Sequence, residues 1–354
     1  MSAQAQAPQG VAKSNGIPPP PFELPVLTSG LPDRPEIITD NLLKLTELAP
    51  NPRTRFIFRN LISKLHEFVN ETDITTEEWM NTITFLTRTG QTCTPIRQEF
   101  ILLSDVLGVS ALVDALNNPL VGNSTESTVL GPFFTEDAPD VANGDSIASE
   151  GKGEYMYVEG RVLTTEGNPI PHAIIETWET DANGFYDTQY ADRAQPDCRG
   201  RLRSGPDGKF GYRAVVPVPY PIPGDGPVGE LLTHLGRHNM RPNHLHMMVE
   251  APGFKKLTTA LYPDGDPFIP SDAVFGVKKS LVVVRISPLL PISLPPGLTS
   301  CCGAQNLTDV DDDTEARKRG FPQGKKFKLL QFDLILVTEA QSAAARAQQA
   351  REAA

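Results

Sequence analysis

The stretch Tyr157-Val-Glu-Gly-Arg-Val-Leu163, Thr164-Thr-Glu-Gly-Asn-Pro-Ile-Pro-His172, Ala173-Ile-Ile-Glu-Thr-Trp-Glu-Thr180 decides how the chain is read. Two runs rich in β-branched and aromatic residues flank a Gly-Asn-Pro turn, and neither carries the three-to-four-residue apolar period of a helix. The same texture recurs at Lys209–Val216, His244–Val249, Ser280–Ile286 and Lys328–Val337. Short strands at such intervals, without long helices between them, predict a mainly β fold built as an antiparallel β-sandwich over 121–337.

Upstream the pattern is different. Phe58, Leu61, Ile62, Leu65, Phe68 and Val69 recur at helical spacing, and Thr75-Thr-Glu-Glu78 reads as a capping box opening the next helix. A third helix is expected from Ile96 to Leu116, stopped by Asn117-Asn-Pro119. Residues 37–120 therefore form a helical N-terminal region. Residues 1–36, with the run Pro18–Pro21, read as a flexible arm, 287–323 as a surface excursion without a core, and 338–354 as a tail that is frayed helix or disorder.

The chain has 354 residues and a formal charge of -11, so nucleic acid and anionic membrane, which need clustered Lys and Arg, are poor partners. Residues 1–16 lack the apolar segment of a signal peptide, and no run of about 20 apolar residues could span a bilayer. The expected location is the cytoplasm. Cys93, Cys198 and the pair Cys301-Cys302 show no metal or disulfide spacing and read as reduced.

The chemistry lies in Arg241-Pro-Asn-His-Leu-His246. On a strand His244 and His246 project to one face while Leu245 points to the other, so the pair can grip one ion. Tyr220 sits in the Pro-rich loop Pro217–Pro223, where it has no evident packing role, and Tyr186 lies further upstream. Imidazole suits several first-row metals, but a phenolate is a hard anionic donor that favours a small, highly charged cation. Ferric iron is the natural occupant. Taken singly, each residue also has a plainer reading: a hydrogen-bonded histidine pair, packing tyrosines, and an arginine in a structural salt bridge. His66, His172, His234 and His238 read as structural.

The blocks Val158-Glu-Gly-Arg-Val-Leu163, Gly167-Asn-Pro-Ile-Pro-His-Ala173, Trp178, Gly184-Phe-Tyr186, Asp207-Gly-Lys-Phe-Gly-Tyr212, Val216-Pro-Val-Pro-Tyr220, Gly236-Arg-His238, Arg241–His246, Ala251-Pro-Gly253 and Leu257-Thr-Thr259 together resemble the intradiol ring-cleavage dioxygenases. The resemblance spans about residues 39 to 337. It implies a non-haem Fe(3+) held by Tyr186, Tyr220, His244 and His246, with Tyr220 similar to the axial tyrosine that leaves the metal when substrate binds. It places Arg241 beside the bound ring, so that Arg241 and Tyr220 are the expected catalytic side chains. It also implies a homodimer formed through the N-terminal helices, with a phospholipid at the interface, and an aromatic diol and O2 as reactants.

Within that family the blocks Leu102–Gly108, Val129–Phe133, Tyr220–Pro223 and Asp272–Lys278 are similar to the branch that opens hydroxyquinol, 1,2,4-trihydroxybenzene. By matching position, Leu102, Asp105, Val129, Leu130, Gly131, Phe133, Ile222, Pro223 and Val274 line the ring pocket. Asp105 can accept a hydrogen bond from a third ring hydroxyl, or it merely faces water or caps a turn. Ala260 departs from the amide that catechol-type members tend to carry. Two alternatives stay open: cleavage of catechol or chlorocatechol, and, from another class, a prealbumin-like binding module without activity.

Overall fold

The computed structural model describes residues 31, 33–94, 97–286 and 306–352. The expected arm and the Cys301-Cys302 pair thus lie largely or wholly outside the described residues. The chain divides into two compact units, Met1–Thr84 and Phe85–Ala354. The division falls earlier than the expected boundary near 120, so the helices after 97 belong with the strands.

In the first unit, α1 (Pro35–Thr46) and α2 (Pro52–Thr72) each begin on a proline whose fixed φ and missing N–H suit the first turn. The Asn51 side chain caps α2 by accepting from Arg53 N at 2.8 Å and Thr54 N at 3.1 Å. The third helix, α3 (Thr76–Thr92), starts in this unit with the expected capping box. Glu78 N donates to Thr75 Oγ1 at 3.2 Å, and Thr75 N donates to Glu78 Oε2 at 2.9 Å. The apolar stripe of α2 is left open: Phe58, Leu61, Leu65 and Phe68 are each about half exposed.

The second unit opens with α4 (Glu99–Val106) and α5 (Val109–Asn117). The single helix expected here is broken at Gly108, whose φ of +73° closes α4 and starts α5 in a new direction. The strands follow as β1 (Tyr155–Thr164), β2 (Ile174–Glu179), β3 (Arg199–Arg203), β4 (Lys209–Val215) and the two-residue β5 (Tyr220–Pro221). After α6 (Pro227–His234) come β6 (Met240–Arg241), β7 (Leu245–Glu250), β8 (Leu257–Pro263), β9 (Val282–Ile286) and β10 (Asn306–Val310). The chain closes with α7 (Asp313–Lys318), β11 (Phe327–Gln331), β12 (Leu334–Leu336) and α8 (Glu339–Glu352). The tail is therefore helical over most of its described length.

Ten strands form one sheet in the order β12-β1-β11-β10-β9-β8-β7-β2-β3, with β4 also on β1. The sheet is mixed, not antiparallel throughout: β1 runs parallel to β11 and β12, and β9 parallel to β8 and β10. The 287–323 segment is also corrected, because its described part supplies β10 as a full member of the sheet. Leu307 is buried in the core between the less buried Asn306 and Thr308, and the exposed Asp309 accepts from Lys328. Phe321 and Ala316 bury against Phe327 in a small core of their own.

One large core joins Val158 and Val162 of β1, Tyr212 of β4, Ile175 of β2 and Leu245 and Met247 of β7. A hydrogen bond of 2.9 Å links Thr177 Oγ1 to the Tyr212 hydroxyl, although β2 and β4 lie far apart in the strand order. A second core cluster, on the outer side of β2 and β7, gathers Leu102, Val106, Val129, Trp178, Tyr186, Tyr220, Ile222, Met248 and Val274.

Candidate metal centre

That second cluster surrounds a polar knot. His244 and His246 flank Leu245, whose side chain enters the large core, so the strand period turns both imidazoles outward. His246 lies directly opposite Trp178 in the β2–β7 pairing, and the two rings stack at 4.8 Å with 7° between planes. Tyr220 is register partner of Arg241 in the β5–β6 pair, which puts phenol and guanidinium side by side.

Tyr186 arrives on a turn. Asp181 Oδ1 accepts from Asn183 N and Phe185 N, and Gly184 takes φ +79°. A Cβ there would stand 3.4 Å from that of Tyr220, so only glycine gives both the left-handed backbone and the close approach. Phe133 then stacks on Tyr186 at 4.4 Å.

Four donor atoms meet as a result. Tyr186 Oη is 3.4 Å from Tyr220 Oη and 3.3 Å from His244 Nε2, which is 3.1 Å from His246 Nε2. Donors bound at about 2.0–2.1 Å to a shared ion and subtending 90–120° lie roughly 2.9–3.6 Å apart. The set fits a single metal. Among the described residues no three His, Cys, Asp or Glu side chains form a metal-binding group. Half of this donor set is phenolic.

The proton states suit ligation. His244 Nδ1 donates to Pro242 O at 2.7 Å, which leaves Nε2 as a lone pair aimed at the knot. Burial, reinforced by the Arg241 charge, holds the His244 imidazole well below its usual range, and burial with His244 and Arg241 does the same for His246. Both are neutral. Among the described residues, the buried His246 Nδ1 has no hydrogen-bond partner, and its ring is held by the Trp178 stack. Burial, with the Tyr220 phenol beside it, pushes Tyr186 well above the ordinary tyrosine range, so loss of its proton requires a cation in contact.

Arg241 is buried at the rim, with Nη1 3.1 Å from His244 Nε2 and 3.4 Å from the Tyr220 hydroxyl. Its Nε donates to Asp272 Oδ1 at 3.2 Å, and Nη2 approaches Asp272 Oδ2 and the Tyr262 hydroxyl, each at 3.4 Å. Burial alone would lower the guanidinium's pKa; Asp272 and the neighbouring phenols more than reverse that. Asp272 also accepts from Gly276 N at 2.9 Å and Val274 N at 3.3 Å. Nothing in the sequence pointed to this carboxylate as the partner of Arg241, 31 positions upstream.

Of the expected pocket residues, Leu102, Val129, Ile222 and Val274 are buried in the cluster with the two tyrosines, and Phe133 packs against it. Gly131 takes φ +74° and approaches His246, from whose Nε2 an added Cβ would be 3.6 Å away. Pro223 is half-buried, and Leu130 is exposed. Asp105 is buried on α4 and does not face water. Burial raises its pKa, opposed by a Ser110 hydrogen bond and the Arg241 charge. Of the other histidines, His66 bonds Thr39 and His238 bonds Ser271.

Comparison with known proteins places the chain in a family. Residues 51–125 match the family model described as catechol dioxygenase N terminus, and 129–287 match the one described as dioxygenase. The chain is 42% identical over 316 residues to an intradiol ring-cleavage dioxygenase of Aspergillus niger, covering 89% of this chain and 88% of the relative. It is 51% identical to a hydroxyquinol 1,2-dioxygenase of Rhizobium, across 66% of this chain and 79% of that one. Among solved structures, hydroxyquinol 1,2-dioxygenase from Pseudomonas putida superposes with a TM-score of 0.75 at 42% identity, over 86% of this chain and 98% of that one. Catechol 1,2-dioxygenase from Acinetobacter radioresistens gives 0.67 at 28%, over 86% and 94%.

Proposed function

The chain belongs to the intradiol ring-cleavage dioxygenases, and from that premise we propose that it opens hydroxyquinol between its adjacent hydroxyls with O2. The product would be 3-hydroxy-cis,cis-muconate, which tautomerises to maleylacetate. The observation that carries this reading is the meeting of Tyr186, Tyr220, His244 and His246 at 3.1–3.4 Å beside a buried guanidinium.

These four residues would hold Fe(III), which when bound supplies Lewis acidity and a template for the two substrate oxygens. The chain's own groups do the rest. Tyr220, in reach of Arg241, can take up a substrate hydroxyl proton at its phenolic oxygen. Arg241, fixed by Asp272, places positive charge where negative charge develops on the ring, and in so dry a site that charge counts for more than in water. The Pro242 carbonyl keeps His244 in one tautomer. Phe133 and Trp178 cover the knot with aromatic faces that exclude water.

The third ring hydroxyl is assigned to Asp105, which is buried on α4 and feels the Arg241 charge, and which a catechol has no third hydroxyl to reach. Greater likeness to hydroxyquinol-cleaving relatives than to the catechol-cleaving structure supports the same choice. Oxygen uptake and product identification with hydroxyquinol and catechol side by side test it: faster turnover of catechol would reject the substrate. Phenolate-to-iron charge transfer should colour the purified protein red-brown, and iron-free protein that cannot be reconstituted would reject the centre.

We assign the open apolar stripe of α2 to a homodimer contact with a phospholipid between the subunits. A monomer mass in solution would contradict the dimer. No helix among the described residues is long and apolar enough to cross a membrane.

A further inference from the structure

Two separate pieces of chain supply the polar side of the proposed ring pocket. One is α4, with Leu102 and Asp105; the other is 272–276, with Val274 and with Asp272, which holds Arg241. Among the described residues no backbone hydrogen bond joins the two. The Arg237 side chain spans them. Its Nη1 donates to the Val106 carbonyl at 2.6 Å, one residue beyond Asp105, and its Nη2 donates to the Ala273 carbonyl at 3.0 Å, between Asp272 and Val274.

The neighbourhood is shaped around this bridge. The Arg237 guanidinium lies 5.1 Å from the centre of the Phe275 ring. Phe275 has a left-handed φ of +57°, which a bulky residue keeps only where its surroundings over-determine it. Its ring rests over Gly108, where an added Cβ would stand 3.4 Å away, so the α4–α5 break makes room for it. Guanidinium, ring and glycine thus stack against the junction that ends α4.

We propose that Arg237 is a specificity-positioning residue, fixing the spacing between Asp105 and the Arg241–Asp272 pair and so the fit of a ring with a third hydroxyl. The inference rests on the hydroxyquinol reading above. It follows from donor geometry: a planar fork can donate to two carbonyls at once, whereas lysine offers a point charge on a flexible stem and cannot hold both at the same separation. Arg237 touches no reacting atom, so its loss should be felt in the recognition of the third hydroxyl and not in ring opening itself.

The test uses the iron-loaded, full-length enzyme and its Arg237→Lys and Arg237→Gln variants, with kcat and KM measured on hydroxyquinol and on catechol. For Arg237→Lys, KM for hydroxyquinol should rise about tenfold, with kcat within about threefold and KM for catechol within about twofold. The hydroxyquinol-to-catechol ratio of kcat/KM then falls about tenfold, while iron content and the visible charge-transfer band stay as in the parent. Equal losses on both substrates, no change on either, or failure of both variants to fold would each overturn the proposal, leaving Arg237 a structural role or none. A parent enzyme that prefers catechol would instead overturn the substrate reading, and is seen before any variant is made.

Discussion

Replacing Asp272 by asparagine keeps the shape of the side chain and removes its charge. In the parent, each carboxylate oxygen serves Arg241 and a backbone amide, with Oδ1 taking Nε and Val274 N while Oδ2 takes Nη2 and Gly276 N. An asparagine can accept at one of these positions only; at the other its NH2 opposes a donor 2.9 Å away if it faces Gly276. Arg241 is left charged, buried and half-paired. Breaking a buried ion pair by removing one partner costs about 3–5 kcal/mol. Asp264, exposed and on the surface, is the control: Asp264→Asn should stay within roughly 0.5 kcal/mol. Chemical unfolding of both variants beside the parent measures the difference. The loosened guanidinium should also lower kcat/KM by about 10²–10³, the range for losing one preorganised donor. An Asp272→Asn protein that unfolds within about 1 kcal/mol of the parent and turns over normally would refute the account of Arg241 as a group fixed from behind.

Asp105→Asn should lower kcat/KM for hydroxyquinol by about 10- to 100-fold, the worth of a hydrogen bond to a charged acceptor, and leave catechol nearly unchanged; parallel losses would count against the assignment. Tyr186→Phe removes one anionic donor and should abolish or strongly shift the visible band while far-ultraviolet circular dichroism is retained; an unaltered spectrum would exclude Tyr186 as a ligand. Glu179 is buried and, among the described residues, its carboxylate accepts from the Val215 amide alone, and burial raises its pKa well above the usual 4.5. The folded state then keeps a proton that the unfolded state releases, so stability falls by up to about 1.4 kcal/mol per pH unit above that value. Glu179→Gln should match the parent near pH ~5 and melt at higher temperature near pH ~8, and superimposable profiles would sink the assignment.

The histidine pair was legible because its signal is local: a two-residue period needs only one strand to bring two side chains to one face. Tyr220 and Arg241 stood near it, and the Gly184 turn before Tyr186 is a short-range feature as well. Asp272 was not legible, since its role depends on a segment folding back on β6, and an Asp-Ala-Val sequence does not encode that return. The same holds for Arg237, whose two acceptors are backbone carbonyls with no residue signature at all. The strand β10 was hidden by its acidic neighbours, although Leu307 already alternates with polar residues on both sides. Strand direction was hidden for another reason. Period and composition are blind to it, and only the length of a connection limits it.

This division has a physical consequence for specificity. The donors that define the reaction come from positions fixed by strand register and a glycine turn, and such positions change only if the sheet changes. The groups proposed to choose the substrate, Asp105 and Val274, are carried by a two-turn helix and a short loop segment, joined through the Arg237 guanidinium and through Asp272. Altering the Arg237 joint moves the pocket wall while Asp272 keeps Arg241 in place beside His244. A branch of one family can therefore shift from one diol to another by changes at 105, 237 and 273–276 with its metal ligands and Asp272 intact, and exchange of the 273–276 segment alone should alter substrate preference more than it alters colour.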